Sequence, residues 1–337
     1  MALLESANRA RTDLPLDAHT APCSMEYRQL GNSDLRVSVL ALGTATMGND
    51  PTEWGLVDDN ESIAAIQTAL DAGVNLIDTA PIYGNGHAET VVGRAIAGRR
   101  ENVIIATKCG LLPPADDRSQ LMRNLRAESI VAECEASLRR LHVENIDLYQ
   151  CHWPDSATPE QETFTALEKL KAQGKVRAIG VSNYSCEQIL HAMEYARIAS
   201  VQPPFSMLHR RPLQDLLPFC REHEIGVIAY SPLAKGLLTG KFSADSSIAG
   251  VHATDPEFRG DRYQRNLRFV DELRAIAANN DRSPAQLALR WVIQQPGVTG
   301  AIMGVKRPSQ VLENLAAAKS AISESDMCAI NLLLEDL

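Results

Sequence analysis

Eight short apolar runs, each followed by an amphipathic segment, restrict what this chain can fold into more than any other feature. The runs are VSVLALG (37–43), VNLIDTA (74–80), VIIATK (103–108), IDLYQCH (146–152), VRAIGVS (176–182), SVQ (200–202), GVIAYS (226–231) and GAIMG (300–304). They are rich in β-branched residues. A helical period marks the segments between them, such as NESIAAIQTALDAG, ESIVAECEASLRRL and SPAQLALRWVIQQ. Several of these segments end in Gly directly before the next run, as a helix C-cap leading into an αβ loop does. Strand–helix units repeated in this way predict a (β/α)8 barrel, the TIM-barrel architecture, within the α/β class. Strands that are apolar throughout also fit a parallel sheet covered on both faces.

The chain has 337 residues, a length that α/β barrels reach as a single domain. Residues 25–337 are expected to form that domain, with C-terminal helices after the last strand. The irregular stretch from about Pro232 to Arg265 follows the seventh run, where a long loop suits a lid or a cofactor clamp. Residues 1–24 are polar and mixed in charge, without the apolar stretch of a secretory leader, and read as a flexible tail. An open doubly wound sheet is the alternative fold. It needs G-x-G-x-x-G after an early strand, whereas GNGHAE carries Glu89 at the last position.

The formal net charge of −9 disfavours nucleic acid or an anionic membrane as the main partner. No apolar run approaches the ~20 residues of a membrane span. The seven cysteines are scattered and contain no C-x-x-C. That suits free thiols in a reducing cytoplasm rather than a disulfide frame or a metal site.

Barrel active sites lie at the C-terminal ends of the strands. Those ends carry Asp78, Lys108, His152, Ser182 with Asn183, Gln202, Tyr230 and Gly304, and Tyr83 stands just past Asp78. A phenol with a pKa near ~10 is a reluctant acid at neutral pH, and lowering it by about three units takes roughly 4 kcal/mol. One cation at about 4 Å supplies that at an effective dielectric near 20. Lys108 is therefore expected to acidify Tyr83, Asp78 to pin the Lys108 ammonium, and His152 to orient a substrate carbonyl. Trp54 and Trp153 lie in segments facing the site and are expected to wall the substrate pocket. Trp291 reads as core. Lys306 and Arg307 precede Pro308, which reads as the first residue of a helix. Cations are unfavourable before a helix N-terminus, and a bound anion would relieve them.

The segments LGTATMG, NLIDTAPIYGNGHAETVVGRAI, VIIATK, IDLYQCHWPD, VRAIGVSNYS, QPPF and AYSPLAKGLLTGK together resemble the aldo-keto reductases, from about residue 26 to the end. The nearest branch is similar to the bacterial inositol-operon and general-stress reductases. The resemblance implies a tetrad of Asp78, Tyr83, Lys108 and His152, with no metal. It implies that Ser182, Asn183 and Gln202 hold a nicotinamide carboxamide, that Tyr230 stacks on the ring and that Thr44 sits beside it. Ser231, Leu233 and Gly236 would line the pyrophosphate, with Lys235 nearby. GVKRPSQVLEN resembles the adenosine-phosphate segment and implicates Gly304, Lys306, Arg307, Gln310 and Asn314. Some members carry Arg where this chain has Gln310, and PFSMLHRR has Phe205 and Ser206 where a Tyr-Asn pair is common.

The expected activity is NADPH-dependent reduction of an aldehyde or ketone by direct hydride transfer. The expected partner is a small-molecule carbonyl substrate, foremost a sugar aldehyde such as an aldose or 6-oxo-hexose, or another small polar carbonyl. Polar residues near the sixth run, His209 and Arg210, accord with that. The alternatives are a cofactor-sensing subunit related to potassium-channel β subunits, and a phosphate-binding barrel lyase or isomerase. Oligomeric state is not readable from the sequence.

Overall fold

The computed structural model describes residues 25–51, 53–113, 121–335 and 337. The tail expected over 1–24 lies outside the described residues. Eight parallel strands close into a barrel: β1 (Leu40–Gly43), β2 (Leu76–Asp78), β3 (Ile104–Cys109), β4 (Ile146–Cys151), β5 (Val176–Ser182), β6 (Ile198–Gln202), β7 (Gly226–Ala229) and β8 (Val298–Gly304). Each pairs with its neighbours in chain order, and β8 closes onto β1 through Ala301↔Leu40 to Gly304↔Gly43. This is a single-domain (β/α)8 barrel, not an open doubly wound sheet.

The helices cover the outside of the barrel. They are α1 (Asp59–Asp71), α2 (His87–Ala95), α3 (Ala127–Leu141), α4 (Glu160–Ala172), α5 (Cys186–Met193), α6 (Leu216–Glu222), α7 (Gly260–Asn279), α8 (Pro284–Gln294), α9 (Pro308–Leu315) and α10 (Glu324–Glu335). Their starts follow capping chemistry. Asp58 accepts from the amides of Asn60 and Glu61, and Ser185 and Ser283 each form a reciprocal capping box with a Gln three residues on. Pro308 opens α9, as its ring geometry favours. Among the described residues, no helix is long and apolar enough to cross a membrane.

Two expected boundaries shift. The run 37–43 is not one strand. Arg36–Ser38 pairs antiparallel with Tyr27–Gln29 as a hairpin, and β1 begins at Leu40. The chain turns at Ser38, whose hydroxyl donates to the Leu40 carbonyl at 2.7 Å and whose amide donates to Asn75 Oδ1 at 2.7 Å. The second shift is that α7 starts at Gly260, inside the stretch read as irregular. Charged residues interrupt its sequence throughout, and only Tyr263, Asn266, Phe269, Val270, Leu273 and Ala277 are buried. That narrow stripe is hard to see among the arginines.

The core has two layers. Outside the barrel, strand side chains pack on the helices, with Trp291 buried against Phe205 at a ring separation of 5.5 Å. Inside it, Leu76, Ala106, Leu148, Ala178, Ile228 and Ile302 form an apolar floor, sealed from below by the hairpin residues Leu30, Leu35 and Val37. Side chains alternate across a strand, so positions two residues further on point into the barrel again, nearer its mouth. Asp78, Lys108, Gln150, Tyr230 and Gly304 stand there. The alternation that builds the floor therefore also aims the polar side chains into the mouth.

Between barrel and helices, Glu133 of α3 accepts the Gly110 amide just past β3, at 3.1 and 3.2 Å, and the Ser129 hydroxyl at 3.1 Å. Burial pushes its carboxyl up to about 7, against the pull of these donors. A carboxyl raised in the folded state stabilises while protonated, and that contribution is lost as pH rises from its unfolded value through the folded one. Glu133 should thus cost roughly 3 kcal/mol more at pH 8 than at pH 4. Relative to wild type, Glu133→Gln should become progressively more stable between pH 4.5 and about 7. Urea midpoints of both proteins across that range check this.

Candidate active site

At the barrel mouth the Lys108 ammonium is wholly buried. It donates to Asp78 Oδ1 at 2.9 Å and Oδ2 at 2.7 Å, to the Thr79 carbonyl at 2.9 Å and to the Tyr83 hydroxyl at 3.4 Å. Its three N–H groups are directed by two strand-end acceptors, leaving the phenol within reach. Tyr83 and His152 stand edge to face with ring centroids 6.1 Å apart. The four side chains read from the strand ends therefore meet in one cluster.

The loop bearing Tyr83 is wedged in place. Gly84 has φ +60°, and a Cβ there would lie 1.8 Å from the Gly48 carbonyl oxygen. Only glycine fits between the β1 and β2 loops. On the β1 side, Thr44 donates through its amide and hydroxyl to the Asp78 carbonyl, at 3.0 and 3.1 Å.

The electrostatics differ from the expectation in one respect. The Tyr83 hydroxyl is not acidified. Loss of hydration raises its pKa above the ordinary value; Lys108 pulls it down, and Asp78 pushes it up again. The carboxylate that pins the lysine also cancels part of its field. Burial disfavours the charge on Lys108, but Asp78 and Tyr83 overcome this and raise its pKa, so it stays cationic. His152 is pushed well below the usual 6.5 by burial and then by Lys108, so it is neutral at physiological pH. The site is a protonated phenol beside a fixed cation and a neutral imidazole. A phenol in that setting can give up a proton to a nearby oxygen, because the charge that develops on it faces Lys108.

A second constellation continues around the rim. Gln202 Nε2 donates to Asp78 Oδ1 at 2.8 Å. The Ser182 hydroxyl donates to the Gln202 carbonyl at 2.8 Å. Asn183 Nδ2 donates to the His152 carbonyl at 3.0 Å, and its Oδ1 accepts the Tyr230 hydroxyl at 2.9 Å. Asn183 itself has φ +64°. Ser231, Ala234 and Lys235 after β7 are also left-handed, followed by Gly236. Such clustering in a sparsely populated region marks functional loops, and left-handed turns of this kind can form anion-binding concavities. Leu233 is buried beside this turn.

The long loop after β7 arches to the loop after β1. The Val251 amide donates to the Glu53 carbonyl at 3.3 Å, and Trp54 and His252 meet edge to face at 5.8 Å. Lys306 Nζ donates to the Trp54 carbonyl. Trp54 is thus joined to the strap and the β8 loop, while Trp153 lies under the Arg123 guanidinium at 5.1 Å. Lys235 is held by Asp255 at 2.8 Å rather than standing free. Gly304, Arg307 and Gln310 are exposed on the β8 side; Gln310 Oε1 accepts the Lys306 amide at 2.8 Å, and Asn314 is buried beneath.

Two residues were missed by the sequence reading. Gln150 points inward beside Lys108, its register partner, and its Oε1 lies 3.5 Å from Gln202 Nε2. The signal was the alternation Leu148, Gln150, His152. Lys241 closes the segment AYSPLAKGLLTGK, and Lys306 is near enough to depress its pKa beyond the effect of burial. Its signal was a basic residue at the end of a Gly-containing loop. Cys109 and Cys151 flank the site, both buried and opposite each other in register.

The model of the aldo/keto reductase family matches residues 39–335 of this sequence. The chain belongs to that family. It is 38% identical over 318 residues to aldo-keto reductase YhdN of Bacillus subtilis, covering 93% of this chain and 94% of the relative. It is 36% identical over 325 residues to the NADH-specific methylglyoxal reductase of Escherichia coli, covering 93% and 99%. Its fold superposes on the glycerol dehydrogenase of Gluconobacter oxydans with a TM-score of 0.83 at 37% identity, covering 94% of this chain and 96% of that one. The protein is accordingly an oxidoreductase of a family that uses nicotinamide cofactors on small carbonyl compounds.

His152 offers a direct check on the electrostatics. Its imidazole resonances, followed by NMR, should show no midpoint between pH 6 and 8, because its pKa is held well below 6.5. In Lys108→Met the lysine's repulsion is gone, and the midpoint should move upward.

Proposed function

We propose that the protein reduces a small polar aldehyde or ketone with NADPH, with Tyr83 as proton donor. The observation that carries this reading is the Lys108 ammonium, fixed by Asp78 and 3.4 Å from the Tyr83 hydroxyl. His152, neutral, can donate a hydrogen bond to the carbonyl oxygen and orient it toward Tyr83. Lys108 then takes up the charge that grows on the phenol oxygen as its proton leaves. The cofactor, when bound, supplies the hydride. Trp54 and Trp153 would wall the substrate pocket.

The residues present fit a nicotinamide dinucleotide. Among the described residues, no carboxylate pairs with Lys241, Lys306 or Arg307. Burial and like charge depress the pKa values of Lys241 and Lys306. An anion would relieve both. The 2′-phosphate of NADPH is our candidate, although the Escherichia coli relative is named NADH-specific. Lys241, Lys306 and Arg307 would face it, with Gly304, Gln310 and Asn314 at the adenosine end. Ser231, Leu233 and Gly236 would line the pyrophosphate. With its ammonium on Asp255, Lys235 would contribute through its left-handed backbone. Ser182, Asn183 and Gln202 would hold the carboxamide, with Tyr230 on the ring and Thr44 beside it.

A sugar aldehyde, an aldose or 6-oxo-hexose, is the leading substrate class. Relatives named for methylglyoxal and for glycerol support small polar carbonyl–alcohol pairs in general.

Tyr83→Phe should lower turnover of glyceraldehyde by on the order of 10² or more, with little change in cofactor affinity. Absorbance of the reduced nicotinamide reads the first, and cofactor fluorescence the second. Near-normal turnover would remove Tyr83 as the donor. Lys306→Ala combined with Arg307→Ala should weaken NADPH binding by roughly 10². NADH binding should barely change, and the NADPH effect should shrink with salt. Equal weakening of both cofactors would mean that the pair supports the loop instead.

A further inference from the structure

Lys108 and Tyr83 come from different segments. Lys108 is part of β3, and Tyr83 sits in the loop between β2 and α2. Asp78 fixes the lysine, but it does not fix the loop against β3. We propose that Glu89, bonded to Thr107 and Arg140, is the positioning residue that sets the Tyr83–Lys108 distance. The inference rests on the proton-donor reading of Tyr83.

Thr107 precedes Lys108 in β3 and points to the opposite face, toward the helices. Its hydroxyl, wholly buried, donates to Glu89 Oε1 at 2.6 Å. Glu89 is the third residue of α2 and also wholly buried. The bond therefore clamps the first turn of α2 onto the back of β3, next to the residue whose side chain reaches Tyr83. The same turn carries the Tyr83 loop, since the Ala88 amide donates to the Tyr83 carbonyl at 3.3 Å and the His87 amide to the Gly84 carbonyl at 3.1 Å.

Arg140 of α3 completes the clamp. Its Nε and Nη2 both approach Glu89 Oε2 at 2.6 Å. Its aliphatic stem lies against Gly86, where a Cβ would come within 2.4 Å of Arg140 Cδ. The arginine thus presses on the end of the Tyr83 loop while holding the carboxylate that grips β3. None of the three groups is in the hydrogen-bond cluster of the site, so their effect on turnover must pass through geometry. A buried carboxylate with an arginine could instead serve stability alone, and the experiment must separate these two roles.

Thr107→Val keeps the shape of the side chain and removes the hydroxyl; Thr107→Ser keeps the hydroxyl. Turnover and KM are measured with glyceraldehyde at saturating NADPH, together with NADPH affinity and melting temperature. Thr107→Val should lower kcat by about tenfold or more, because a small displacement of reacting groups is costly. KM and cofactor affinity should stay within about twofold, and Thr107→Ser should restore most of the lost kcat. Arg140→Lys keeps the charge and the aliphatic stem but loses the two-nitrogen fork on Glu89; it should lower kcat in the same selective way, which keeps the test open if the valine variant folds poorly. Wild-type kcat in Thr107→Val would overturn the proposal. So would failure of serine to rescue, or kcat, KM and cofactor affinity degrading together with the melting temperature. An inactive Tyr83→Phe beside a fully active Thr107→Val would sink this inference alone, whereas an active Tyr83→Phe would sink the reading beneath it.

Discussion

The bidentate contact between Asp78 and Lys108 is the interaction on which the barrel mouth depends. Both groups are removed from water, and an ion pair so placed contributes little net stability, because desolvation offsets most of the attraction. Removing one partner is a different matter. It leaves an uncompensated buried charge, at a cost of about 3–5 kcal/mol. The pair thus acts as a geometric fixture whose two members require each other. Gln202 adds a third party to it, since its amide is bonded to the same carboxylate. The residue proposed to read the nicotinamide carboxamide is therefore one hydrogen bond from the residue that holds the lysine.

This arrangement also changes what the lysine can do. From the sequence, Lys108 pinned by Asp78 is expected to lower the phenol pKa. In the folded protein its field is shared with Asp78, and the phenol remains protonated well into the alkaline range. For a proton donor that is the useful resting form. The acid is loaded at neutral pH, and the nearby cation matters most once negative charge begins to appear on the oxygen.

Much of the fold was legible because its signals are local. Continuously apolar β-branched runs, helical periodicity and glycine stops gave the eight strands and most helices, and the same runs exposed Asp78, Lys108 and His152 at their ends. What escaped was set by tertiary context. The break between Ser38 and Leu40 depends on bonds to Asn75 and Glu26, which are remote along the chain and meet it only in the fold. Helix α7 has a buried stripe too narrow to stand out among its charges. Gln150 looked like an ordinary strand residue until β3 and β4 were in register, and Lys241 until the β7 and β8 loops met. The acidity of Tyr83 was misjudged for the same reason. Burial and the opposing carboxylate are properties of the assembled mouth.

The layered interior has a consequence for how such a chain can diversify. The apolar floor and the polar mouth share the same strand faces, so a one-residue slip of β3 would turn Lys108 outward and Cys109 inward, and would withdraw Ala106 from the floor at the same stroke. No compensating substitution could restore both layers. Length changes are free to accumulate in the connecting loops, where the strap after β7 already departs from a simple turn. New specificities on this scaffold must therefore come from loop remodelling, while the reading frame of the strands is inherited intact.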